Sequence, residues 1–192
     1  MMLHLILPAT NQRSHRESEL ETKISRSFND AFCDVTFKLT DGSLIRAHRT
    51  YMGSNPYFKK MFEGNPKLKL FWIFAVDPPL FAMFVDHIYE RLDVATVKLN
   101  RVKLYQLAET YEESALKKRV LDTIDSKMEE ELVELYKLAD DLPDSPFNRG
   151  LKRKVVDSIS ENIAKVSKTE VFKATVLVKP DLAVAVLTSG AE

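Results

Sequence analysis

The sequence predicts a mixed α/β fold of the α+β kind, a small mixed sheet flanked by helices, followed by an all-helical C-terminal extension. Three observations carry this. Residues 34–39 alternate, with Val35, Phe37 and Leu39 against Asp34, Thr36 and Lys38, as a half-buried strand requires. Asp41-Gly42 supplies the backbone angles of a tight turn, and a second strand follows over 44–49. From residue 98 onward the apolar positions recur at helical spacing.

The elements follow in order. Ser54-Asn55-Pro56 divides two short helices; Asn55 is a fitting cap and Pro56 pre-sets a first turn. Tyr57, Phe58, Met61 and Phe62 form one apolar helical face, and Gly64 ends it. Residues 67–76 read as a strand entering a buried sheet, since Leu68 and Leu70 alternate with lysines before an unbroken apolar run. That run, Phe71-Trp72-Ile73-Phe74, is a hydrophobic surplus: core, the favoured reading, or an exposed interface patch. Asp77-Pro78-Pro79 stops the strand and starts a helix with Leu80, Phe81, Phe84, Val85, Ile88 and Tyr89 on one face.

Residues 98–125 read as two helices separated by Glu112-Glu113-Ser114. Their stripes are Leu104, Leu107, Ala108 and Tyr111, then Leu116, Val120 and Ile124. A helix over 128–139 follows, with Leu132, Leu135, Tyr136 and Ala139 inward, then a loop over 140–146. Leu151, Val155, Val156, Ile159, Ile163 and Val166 make a long amphipathic helix. The last helical stretch, 171–187, breaks at Lys179-Pro180-Asp181, where Asp181 can cap the final helix.

Composition excludes several function classes. The chain has 192 residues, 45% of them apolar, enough for one good core and a smaller appendage. Its zero formal charge and pI near 6.9 give no electrostatic reason to expect nucleic acid as a partner. Lys117-Lys118-Arg119 and Lys152-Arg153-Lys154 read as solvated helix faces. Cys33 is the only cysteine, so no disulfide forms within the chain, which fits a reducing intracellular compartment, cytoplasm or nucleus. With no histidine near it in sequence, Cys33 reads as structural. Residues 1–8 are apolar but too short to span a bilayer and lack a basic n-region. Residues 9–26 are polar and cannot bury a core, so a flexible leader is expected over 1–25.

No catalytic chemistry is visible. His4, His15, His48 and His87 share no metal-ligand spacing, and with Cys33 they form no cluster, so neither metal nor cofactor is expected. His48 reads as a structural residue bonding a backbone group. Phosphate-cradling and nucleophile-elbow motifs are absent, and only five glycines occur. Glu129-Glu130-Glu131 opens a helix, where it complements the dipole rather than serving acid–base chemistry.

The string Cys33-Asp34-Val35, Asp41-Gly42, Ala47-His48-Arg49, Asn55-Pro56-Tyr57-Phe58 and Met61-Phe62-Glu63-Gly64 resembles the opening of a BTB/POZ domain. Phe81 and Tyr89 match the aromatic positions of that family's next helix, and residues 104–119 resemble its closing helical pair. Two departures stand out. Glu90-Arg91 replaces the common Thr-Gly, and Phe71-Trp72-Ile73-Phe74 is unusually apolar. The resemblance divides the chain into a leader over 1–25, a BTB domain over 26–127 and a helical extension over 128–192. That extension is similar to those of BTB-only proteins of fungi.

The resemblance implies an interaction module rather than an enzyme. It implies self-association, or pairing with another BTB protein, with no direct contact to nucleic acid or membrane. It further implies a substrate adaptor docking a cullin scaffold of a ubiquitin ligase; the alternative is an oligomerisation or transcription co-regulator scaffold without a ligase role. The helix over 79–90 and the loop after it, 91–94, would present the contact surface. With Phe81, Phe84, Val85 and Ile88 inward, Met83, Asp86, His87 and Glu90 are the candidates for its outer face. Asp34 and Arg49 match an acidic and a basic position that meet in a pocket in related domains, so a buried charge pair is expected there. The alternative is two solvated side chains at element ends.

Overall fold

The computed structural model describes residues 32–125 and 127–189. The expected leader over 1–25 lies outside the described residues, as does the start of the expected BTB segment. The chain divides into two compact units, Met1–Leu92 with Tyr111–Glu113, and Asp93–Thr110 with Ser114–Glu192.

The first unit is built on a three-stranded sheet in the order β2-β1-β3, where β1 is Val35–Leu39, β2 Leu44–Ala47 and β3 Leu70–Ile73. β1 pairs antiparallel with β2, Phe37 opposite Ile45, and parallel with β3, Phe37 opposite Phe71. The turn between β1 and β2 closes as expected at Asp41-Gly42. Gly42 takes φ 85°, the left-handed region that favours glycine, and the Asp41 carboxylate accepts from the Ser43 N–H at 2.9 Å. β3 is shorter than the 67–76 run, because β1 offers partners only for residues 70–73 and Ala75 then turns the chain out at φ 57°. Strand alternation splits the hydrophobic surplus. Phe71 and Ile73 are buried, whereas Trp72 and Phe74 are half-buried on the other face, stacked at 5.9 Å with Lys38 over the indole at 4.6 Å.

Helices complete this unit: α1 (Arg49–Met52), α2 (Pro56–Gly64) and α3 (Pro78–Ile88). Asn55 caps α2 as its sequence position predicts; its side-chain oxygen accepts from the Tyr57 and Phe58 N–H groups at 3.0 and 3.2 Å. Phe37 lies at the centre, its ring 5.4 Å from those of both Phe58 and Phe81.

The second unit is helical: α4 (Val94–Leu99), α5 (Arg101–Thr110), α6 (Ser114–Leu121), α7 (Glu129–Asp141), α8 (Pro146–Glu161), α9 (Ile163–Val166), α10 (Glu170–Val178) and α11 (Asp181–Ser189). α5 packs on α6 and α7, and α8 on α6, α7 and α11. α8 starts before its first apolar position because Ser145 caps it, accepting from the Asn148 N–H at 3.1 Å, and Pro146 pre-sets its first turn. The expected long helix is two helices, broken at Asn162. Lys117 departs from the solvated face expected of its cluster. It is buried, 2.5 Å from the Glu109 carboxylate.

Several buried polar groups in this unit have hydrogen-bond partners. The Arg101 guanidinium donates to the Thr123 hydroxyl and carbonyl at 3.0 and 2.9 Å and to Glu131 at 2.8 Å. Burial raises the Glu131 carboxyl above its ordinary range, and Arg101 opposes that rise. The Tyr105 hydroxyl donates to Asn148 at 3.0 Å, and Asn148 donates to the Pro143 carbonyl at 2.7 Å.

At the junction of α10 and α11, Lys179 donates to Asp140 and Asp141, and Lys152 on α8 donates to Asp140. Those hydrogen bonds hold the Asp140 carboxyl below its ordinary range. A depressed carboxyl contributes stability above its unfolded value of about 3.9 and loses it as pH falls through the lower folded value. Acid titration of unfolding stability is therefore expected to lose a component below about pH 4. Asp140→Asn should lose that component while keeping the transition at neutral pH within about 1 kcal/mol, because the pairs are solvent-accessible.

Candidate functional site

The junction where β2 runs into α1 gathers most of the motif residues. Asp34 and Arg49 meet there, but not as a charge pair. The exposed Asp34 carboxylate accepts from the Arg49 backbone N–H at 2.7 Å and so satisfies an orphan donor at the start of α1. The Arg49 guanidinium turns away. It donates to the Leu68 carbonyl and, at 3.4 Å, to that of Asn65, with its face over Phe62 at 4.8 Å. No ion pair joins the two side chains among the described residues, which corrects the expected buried pair. The antiparallel register explains it: with Val35 opposite Ala47, Asp34 faces the backbone that enters the helix.

His48 beside them bonds a side chain rather than a backbone group. Tyr89, at the end of α3, accepts from the His48 backbone N–H at 2.8 Å and lies 2.8 Å from its Nδ1. The His48 Nε2, at the other side of the ring, lies 3.9 Å from the Cys33 sulfur. Tyr51 stacks on Tyr89 at 4.7 Å, and burial raises the Tyr89 phenol above its ordinary value. Sequence reasoning missed the Cys33–His48 approach because it looked for a histidine near in sequence. The hairpin register was the available signal, since it carries residues 33 and 48 to the same end.

Four residues of α3 and its cap were expected on an outer face. Glu90 is exposed, Met83 and Asp86 are half-buried, and the His87 side chain is only 10% exposed. His87 is therefore no free surface group. Its Nε2 lies 3.8 Å from Glu113, its Nδ1 is buried without a hydrogen-bond partner, and Glu113 also accepts from Asn55 at 2.8 Å. Helical spacing placed His87 outward, but the segment Tyr111–Glu113 covers it.

Glu90 occupies a special backbone position. The Arg91 N–H bonds the Asp86 carbonyl at 2.7 Å and the Glu90 N–H bonds that of His87 at 2.9 Å, closing α3 in a Schellman arrangement with Glu90 at φ 58°. A left-handed turn thus forms here without glycine.

Among the described residues no group of histidine, cysteine and acidic side chains could hold a metal ion, and no helix is long and apolar enough to cross a membrane.

The BTB/POZ domain family model matches residues 24–128, more than half of the chain. Strand order, the capped α2 and the α3 closure lie within that span, and the chain belongs to the BTB/POZ domain family. It is therefore a protein–protein interaction module. No curated protein matches the chain.

Two predictions follow from this geometry. Asp34→Asn keeps a side-chain oxygen for the Arg49 N–H and should cost no more than about 1 kcal/mol. Arg49→Gln takes the donor from the Leu68 carbonyl and removes the stacking, and should cost about 1–3 kcal/mol. Denaturant melts of both and of the double variant should be additive within about 0.5 kcal/mol, since no side-chain pair couples them. His87→Glu sets a second carboxylate against Glu113 in a covered site and should destabilise by about 2 kcal/mol or more, read the same way.

Proposed function

We propose that this protein is a self-associating adaptor that links a cullin-type ubiquitin ligase scaffold to its substrate. The reading rests on one arrangement: a BTB/POZ match over 24–128 followed at once by the helices α7–α11. An adaptor needs a surface for the scaffold and further helices to widen it, and both elements are available. The scaffold would meet Met83, Asp86 and Glu90 on the accessible side of α3; His87 drops out of that set because it is covered. The proposed boundaries are 26–127 for the BTB domain and 128–192 for the extension, with 1–25 as leader, and the proposed residence is cytoplasm or nucleus.

Exposed apolar residues on the first unit favour self-association. Phe32 is 89% and Tyr51 54% exposed, apolar surface that a second copy of the chain would cover. The second reading, an oligomerisation or co-regulator scaffold with no ligase, shares this feature and differs only in lacking the cullin.

Light scattering coupled to gel filtration at micromolar concentration should return twice the chain mass, and a strict monomer would remove the self-association. Affinity purification should recover a cullin. Met83→Glu with Glu90→Lys should abolish that recovery while shifting unfolding by no more than about 0.5 kcal/mol per site. Unchanged recovery with the fold intact would leave the scaffold reading in its place.

A further inference from the structure

The second unit carries a cleft of about 560 Å³ between α8 and α11 that the proposed scaffold contacts do not use. Arg149, Lys152 and Arg153 form its α8 wall, with Val156 one turn further along the same face. Val156, only 7% exposed, and Ala185 of α11 make an apolar floor, and Thr188 stands at the opposite rim. Beside that rim α11 presents Val184 and Leu187, 60% and 75% exposed. We propose that this cleft docks a short acidic segment of a partner protein carrying one apolar anchor residue.

The charges argue for that occupant. Three cations line the cleft against a single acid, Asp157. Lys152 is held by Asp140 at 2.6 Å, with its ammonium 5.2 Å from the Tyr136 ring centre, so it is fixed in position. Arg149 meets Asp144 at 2.6 Å, but both side chains are largely exposed, and such a pair yields readily to an incoming carboxylate. Arg153 is exposed and joins no acid in an ion pair among the described residues. Two guanidinium forks at helical spacing therefore face a partner, each able to take a carboxylate in a bidentate contact. The floor between the helices accepts an aliphatic side chain, which a uniformly charged polyanion cannot supply. Asp157 adds a repulsive element against continuous negative charge, so the cleft selects carboxylates flanking an apolar residue over nucleic acid.

Read with the adaptor proposal, this cleft is where a ligase substrate would be recruited. That assignment rests on the adaptor reading, whereas peptide binding itself does not.

The test is fluorescence anisotropy on the full chain with a labelled peptide of sequence Gly-Glu-Asp-Leu-Asp-Glu-Gly. Two controls accompany it: serine in place of the leucine, and amides in place of the carboxylates. The parent peptide should bind saturably with Kd below ~100 µM. Each control peptide should bind at least ~10-fold more weakly. Arg153→Glu and, separately, Thr188→Trp, which fills the cleft from its exposed rim, should each weaken the parent peptide by ~10-fold or more with unchanged thermal unfolding. Absence of saturation at 1 mM would overturn the proposal, as would equal binding of either control or full binding by both variants. No cullin is present in this assay, so failure here and failure of cullin recovery are separate results.

Discussion

Burial of Phe37 on the central strand is the constraint on which the first unit depends. Among the described residues β1 is the only strand with a neighbour on each edge, and Phe37 is fully buried among Phe58, Phe62, Phe71 and Phe81. Those rings come from α2, β3 and α3, so a single side chain on the sheet meets both helices that pack on it and the neighbouring strand. The contacts with Phe58 and Phe81 are both edge-on, which suits the ring quadrupoles better than face-to-face stacking. Truncating such a ring removes its transfer energy and leaves a cavity as well. The motif residues around β1 are in place because this core fixes the strand that carries them.

A polar counterpart ties down the chain segment that would otherwise be a plain helix break. Asn55 is fully buried. Its oxygen caps α2 and its amide donates to the Tyr111 carbonyl at 2.9 Å and to Glu113 at 2.8 Å. Tyr111 in turn packs on Phe58 and Phe84, and burial pushes its phenol far above the ordinary value. One asparagine therefore caps the start of a helix and ties Tyr111–Glu113 into the first unit. The same recruitment covers His87. A residue that the helical wheel marks as surface becomes a covered side chain beside Glu113, and the set of side chains available to a partner shrinks accordingly.

Function in an interaction module is a matter of which surfaces remain available and what chemistry they present. On the first unit these are the accessible side of α3 and the apolar residues at the start of β1 and on α1. On the second unit it is the cleft between α8 and α11. These surfaces differ in kind: the first mixes thioether and carboxylates, the second sets guanidinium groups over an aliphatic floor. The two units therefore present chemically different surfaces.

Much of this was legible in one dimension. The alternation of Val35, Phe37 and Leu39, the Asp41-Gly42 turn, the Asn55-Pro56 helix start and the helical stripes of the C-terminal half all depend on local geometry, which spacing alone reveals. The family resemblance was legible for the same reason, since its motif residues sit in those turns and caps. What the tertiary structure decided is who meets whom. Asp34 and Arg49 are brought together by the hairpin register, yet the guanidinium turns to the Leu68 and Asn65 carbonyls and two aromatic faces rather than to a carboxylate already used by a backbone donor. His48 reaches Cys33 and Tyr89 across 15 and 41 residues. His87 is covered by a segment 26 residues away. Periodicity tells which side of an element is wet only when one neighbour packs on it; where a second segment arrives from elsewhere in the chain, burial and pairing are set by tertiary contact, and the sequence carries no local trace of it.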